Sequence, residues 1–100
     1  MAERRTEFHP AADTEFSEAI RYYEEREPGL GSAFLSEVRR LLDIVRDYPE
    51  IGAVIWNTRR RILLDRFPYA LIYRVLNNGT IRVLAVMHLR REPTYWHGRR

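Results

Sequence analysis

The sequence predicts an α+β fold of two layers, in which an N-terminal strand and an αα-hairpin pack on a small antiparallel β-meander. Three observations predict it. Residues 59–88 form three runs rich in β-branched and aromatic side chains, separated by Phe67-Pro68 and Asn77-Asn78-Gly79, the punctuation of antiparallel hairpins. Upstream, two apolar stripes recur at helical spacing and are split by Pro28-Gly29. The apolar faces of these two halves have only each other to bury against.

Glu3 to Phe8 alternates in polarity and reads as a weak N-terminal edge strand. Pro10 suits a first helical turn, where its missing N–H is not needed. From there Ala12, Phe16, Ala19, Ile20 and Tyr23 share one stripe, with Asp13, Glu18, Arg21 and Glu25 elsewhere, and the helix ends near Arg26. Phe34, Val38, Leu41, Leu42 and Val45 make the second stripe. That helix ends near Asp47, because Pro49 disfavours helical geometry at Tyr48. Burial of these faces on the meander is worth roughly 1.5–3 kcal/mol per large side chain. Pro49 to Thr58 lacks a period and reads as a packed loop or a short irregular strand, with Trp56 a packing residue.

In the run Arg59–Arg66, alternation puts Ile62 and Leu64 on one face and Arg61, Leu63 and Asp65 on the other. In Tyr69–Leu76, the residues Tyr69, Leu71, Tyr73 and Val75 face the helices, leaving Ala70, Ile72 and Arg74 outward. Thr80–His88 is apolar on both faces near its middle, so it sits centrally or is covered on both sides.

One hundred residues at 45% hydrophobic content make a single domain spanning 1–100, with one modest core. There is no cysteine, so neither a disulfide nor a thiolate metal site is possible. No apolar run approaches the ~20 residues of a membrane span, and no signal-peptide pattern opens the chain. The expectation is a soluble cytoplasmic protein with no membrane partner. The net charge of +3 hides a segregation. Residues 1–50 carry seven arginines against twelve carboxylates, and residues 51–100 carry ten against two. A basic half of that kind meets an acidic partner.

Little else in the chain carries chemistry. His9, His88 and His97 form no ligand pair on one helix, so no metal is expected, nor any other cofactor. Gly29-x-Gly31 lacks the third glycine and the preceding strand of a phosphate cradle and reads as a turn. Ser17, Ser32 and Ser36 lie far in sequence from His88, and Glu24-Glu25 reads as a solvated helix face. What remains is Arg59, Arg60, Arg61, Arg66, Arg74, Arg90 and Arg91, with His88, Tyr95 and Trp96. Guanidinium forks bind phosphates and carboxylates, aromatic rings stack on bases, and an imidazole beside a phenol can move protons. Such a set can bind RNA, cut it, or hold an acidic protein surface.

Two stretches bring a known family into view: Phe67-Pro68-Tyr69-Ala70-Leu71-Ile72-Tyr73-Arg74-Val75 and His88-Leu89-Arg90-Arg91-Glu92-Pro93-Thr94-Tyr95-Trp96. Together with Phe8-His9-Pro10-Ala11-Ala12, Gly29-Leu30-Gly31 and Tyr48-Pro49-Glu50-Ile51-Gly52, they resemble the RelE/ParE toxins of bacterial type II toxin–antitoxin modules over nearly the whole chain. The resemblance implies a strand, a helical hairpin and a meander. It also implies a cognate antitoxin, an acidic amphipathic partner in a hetero-oligomer, expected on Phe16, Ile20, Tyr23, Phe34 and Val38 and on the sheet edge. RelE-like members cut mRNA on the ribosome without a metal, whereas ParE-like members inhibit DNA gyrase by binding it. The RelE basic positions fall here on Arg61, Leu63, Ala70 and Leu89, and its tyrosine on Tyr95, so only Arg61 and Tyr95 match. The resemblance therefore points to a ParE-like gyrase inhibitor rather than an enzyme. Its target-binding residues would be Arg59, Arg60, Arg61, Arg74, His88, Arg90, Arg91, Tyr95 and Trp96. The alternative, a ribonuclease, would use Arg61, His88, Arg91 and Tyr95.

Overall fold

The computed structural model describes residues 4–100. In chain order the elements are β1 (Thr6–Phe8), α1 (Pro10–Arg26), α2 (Leu30–Asp47), β2 (Ala53–Trp56), β3 (Arg59–Leu63), β4 (Tyr69–Val75) and β5 (Ile81–His88). The five strands form one sheet in the order β1-β5-β4-β3-β2. The β2 to β5 ladder is antiparallel, as expected of a meander. β1 adds a parallel strand beyond β5, pairing Thr6 with Ile81 and Phe8 with Val83, so the sheet is mixed. Glu3, included in the expected N-terminal strand, lies outside the described residues.

The helical hairpin forms where the apolar stripes place it. His9 caps α1, its Nδ1 accepting the Ala11 N–H at 3.0 Å, with Pro10 at the first position. Gly29 precedes α2 with φ of 90°, a left-handed conformation that favours glycine. The Glu24 carboxylate accepts the N–H groups of Gly29 and Gly31 at 3.0–3.1 Å. The Gly29-x-Gly31 turn is thus filled by a carboxylate of the preceding helix. Glu24 is a cap for the exposed donors of α2 rather than part of a free solvated face.

The helices lie over one face of the sheet. Ala12, Ala19, Phe34, Val38, Leu41 and Leu42 meet Leu64, Phe67, Leu71, Val83 and Val86 there, and Phe8, Phe16, Ile20 and Tyr23 pack against this cluster. Val45, Tyr73 and Ile81 extend it toward the far end of α2. Glu37 of α2 is also buried, and its carboxylate accepts the backbone N–H groups of Asp65 and Arg66 in the turn after β3.

The opposite face departs from expectation. Ala70 and Ile72, read as outward, are fully buried with Leu84, Ala85, Met87 and Trp96. Residues 89–100, a series of turns, fold back over that face and close it with the Trp96 indole. The register shift between Ile72 and Tyr73 turns both Leu84 and Ala85 of β5 toward the same second core. β5 is therefore central and covered on both sides, which its two apolar faces require.

Pro49 to Thr58 resolves into a tethered loop and the edge strand β2, whose ladder with β3 shifts register between Val54 and Trp56. The Tyr73 hydroxyl donates to the Pro49 carbonyl at 2.8 Å and accepts the Gly52 N–H at 3.0 Å. A Cβ at Gly52 would stand 2.8 Å from that hydroxyl, so the close approach requires glycine.

Candidate functional site

The basic half of the chain does not make one continuous patch, because several of its arginines are taken up inside the fold. Arg60 points to the helix side of β3 and donates to the carbonyls of Glu50 at 3.0 Å and Gly52 at 2.8 Å, tying down the loop before β2. Arg59 and Arg74 lie half-buried on the face away from the helices, with Arg59 over the Trp56 ring at 5.2 Å. Arg61, Arg90 and Arg91 remain exposed. Arg66 is exposed beside the Phe67 ring at the turn after β3.

Arg61 and His88 fall on opposite faces of the sheet. Arg61 alternates with the helix-facing Ile62 and so points away from the helices. His88 packs edge-on against Tyr69 at 5.0 Å and opens into a small cavity of about 340 Å³ against α1, lined by Glu15, Glu18, Tyr22, Tyr69 and Arg91. Its Nδ1 accepts the Arg90 N–H at 3.0 Å.

Tyr95 sits between two guanidiniums, with Arg91 4.0 Å and Arg99 5.0 Å from its ring centre. Burial, reinforced by the Glu15 charge, raises the pKa of this phenol far above its ordinary range and holds it protonated. Trp96, expected among the target-binding residues, is enclosed in the second core. The indole is the largest side chain in that core, and burying it is what keeps the far face of the sheet dry.

The sequence did not single out Glu15 and Arg99, yet they organise this region. β1 is short, so the outer edge of β5 beyond Val83 has no strand beside it. Glu15 accepts the Val86 N–H at 3.0 Å, and Arg99 donates to the Leu84 carbonyl at 3.0 Å. The two side chains join each other through two contacts of 3.0 Å, completing the edge in place of backbone. A lone Glu on a helix and an Arg in a turn-rich tail carry no spacing signal that would have paired them.

The residues expected to hold an antitoxin are mostly core. Phe34 and Val38 are fully buried, and Phe16, Ile20 and Tyr23 pack against the same cluster, because the helical stripe is what the meander covers. Exposed apolar surface lies elsewhere. Tyr48, Ile51 and Val54, each more than half exposed, line a groove of about 860 Å³ with Arg4, Asp47, Glu50 and Arg60, between the end of α2 and the β2 edge. Leu63, Leu89, Ile55 and Trp56 add further exposed apolar side chains. Among the described residues no cluster of metal-ligating side chains occurs, and no helix is long and apolar enough to cross a membrane.

A family model described as the ParE toxin of the type II toxin–antitoxin system parDE matches residues 6–93. No curated protein matches the chain in sequence. Among solved structures, a chain of the "Chromosomal ParDE TA system from P. aeruginosa" superposes with a TM-score of 0.74 at 14% identity. The match covers 88% of this chain and 98% of that one, and the likeness is one of fold.

Proposed function

This chain belongs to the ParE toxin family of type II toxin–antitoxin systems, and we propose that it inhibits DNA gyrase by binding it and is neutralised by a cognate antitoxin. The observation that carries this reading over the ribonuclease one is the separation of Arg61 and His88 by the sheet itself. A phosphodiester cannot be reached by both. Leu63 and Leu89 add no charge, and Ala70 lies beneath the C-terminal cover. The Tyr95 phenol, held protonated, is a poor base. A metal-free phosphoryl transfer needs donors converging on the developing charge; His88, Arg91 and Tyr95 lie near one another, but Arg61 is on the other side of the sheet.

Binding a protein target asks for less. Arg61, Arg90 and Arg91 are exposed and, among the described residues, form no ion pair, so they can meet acidic groups. Leu63 and Leu89 supply apolar contacts beside them. The groove at Tyr48, Ile51 and Val54 offers the antitoxin an apolar floor with Arg4, Asp47, Glu50 and Arg60 at its margin, which suits an amphipathic segment. The test is a supercoiling assay with purified gyrase and relaxed plasmid. The chain should block supercoiling, and adding the protein encoded beside it should restore activity. Undiminished supercoiling at a large excess of the chain would count against the reading.

A further inference from the structure

On the face away from the helices, strand pairing sets like charges side by side. Arg74 pairs with Arg82 across β4 and β5, Arg82 with Glu7 across β5 and β1, and Trp56 with Arg59 across β2 and β3. Arg59 precedes the Arg60–Tyr73 pair by one residue, which brings it beside Arg74. The neighbours of these residues, Arg60, Tyr73, Ile81, Val83 and Phe8, lie on the helix side, so the row lies wholly on the other side. Three guanidiniums thus cross three adjacent strands, over about 10 Å at the usual strand spacing.

Among the described residues the row has one paired carboxylate, Glu7, whose Oε1 lies 3.2 Å from Arg82 Nη1. Arg59 and Arg74 have none, and their Nε atoms are buried with no acceptor. Arg82 Nε donates to a backbone oxygen of Arg100, the last residue of the sequence, at 2.9 Å, which brings both that residue's terminal oxygen and its guanidinium to the same end. Burial, then the Arg74 and Arg100 charges, lower the pKa of Arg59, the direction expected where positive charge is concentrated without compensation. Like charges directly opposite on a sheet oppose folding, and a buried donor left unmade is costly. An oxyanion held on the Nη groups offsets the first of these costs.

We propose that the row Arg59–Arg74–Arg82 is a phosphate-binding site that takes the backbone of a single-stranded nucleic acid. One carboxylate offers two oxygens, enough for a single fork, whereas a phosphodiester strand presents successive oxyanions along the row. Trp56 ends the row, but His97 is stacked on its ring at 3.9 Å and the Arg59 guanidinium lies over it at 5.2 Å. Contacts to phosphate carry no sequence information, so binding is independent of sequence. The site is separate from the His88, Arg91 and Tyr95 group and does not rest on gyrase as the target.

Fluorescence anisotropy of a labelled twelve-residue oligo(dT) with the purified chain tests this, with ADP and polyglutamate as competitors. Binding should weaken as salt rises. Arg74→Gln and Arg59→Gln should each weaken it about tenfold and lower the salt slope by about one, while Arg39→Gln, exposed on α2, leaves it unchanged. Without oligonucleotide, Arg74→Gln should melt at or above the unsubstituted chain. Oligonucleotide should raise the melting temperature of the unsubstituted chain and not that of the variant. ADP competing at concentrations comparable to the oligonucleotide would keep the phosphate site and assign it to a free nucleotide. Polyglutamate binding in place of the oligonucleotide would overturn the proposal in favour of an acidic protein. Unaltered binding by both variants would also overturn it, as would variants that melt well below the unsubstituted chain, since the arginines would then be structural.

Discussion

Glu15 occupies the place of a missing strand residue. Its carboxylate holds the Val86 N–H and the Arg99 fork, and the pair is largely shielded from solvent. Breaking such a pair leaves a charge with no partner, which costs more than the pair contributes. Glu15→Ala should lower the unfolding free energy by about 2–3 kcal/mol, measured by urea denaturation. A loss below about 0.5 kcal/mol would mean the pair is no stronger than a surface contact. Tyr95 beside it carries a hydroxyl that is buried and unpaired among the described residues. If the phenol and His88 are not catalysts, the double variant Tyr95→Phe, His88→Ala should leave growth inhibition intact, read from colony counts after induction. At this scale the sequence was only partly legible. Arg61, Arg90 and Arg91 stand exposed, while Arg60 is spent on backbone carbonyls and Trp96 on the core. Composition reveals that arginines are present but not which acceptors the fold brings to them.

Elements with a strong period are legible in the sequence nearly to the residue. α1 and α2 end at Arg26 and Asp47, where Pro28 and Pro49 forbid continuation. The strand β2 was not so legible, because a register shift breaks its alternation and all four of its residues are exposed. The tail at 89–100 is the least legible segment of the chain. It holds no regular element, yet it seals Ala70, Ile72, Leu84 and Met87, and turns carry no hydrophobic period that would announce this. Removing its anchor tests the arrangement. Trp96→Ala should cost about 3–5 kcal/mol, seen as a lower denaturation midpoint, and should expose the second core to a hydrophobic dye. A midpoint close to that of the unsubstituted chain would mean that the tail packs loosely.

For the whole molecule, the segregated charges of the sequence are divided between the interior contacts of the fold and its surface. Glu24 and Glu37 serve caps and turns, Glu7 and Glu15 pair with Arg82 and Arg99, and Arg59 and Arg74 stand on the far face with no ion pair among the described residues. One side of the sheet is committed to the helices. The other side is apolar at its centre, where the tail closes it, and basic around that centre. The chain is a ParE-family member with Arg61 and His88 on opposite faces of its sheet, and the proposed recognition of a protein target, in place of cleavage, rests on that split. Inducible expression in bacteria, following plasmid supercoiling and amino-acid incorporation from the same culture, tests this most directly. Supercoiling should fail first, with translation continuing until DNA damage accumulates. Collapse of translation with supercoiling still normal would contradict the account.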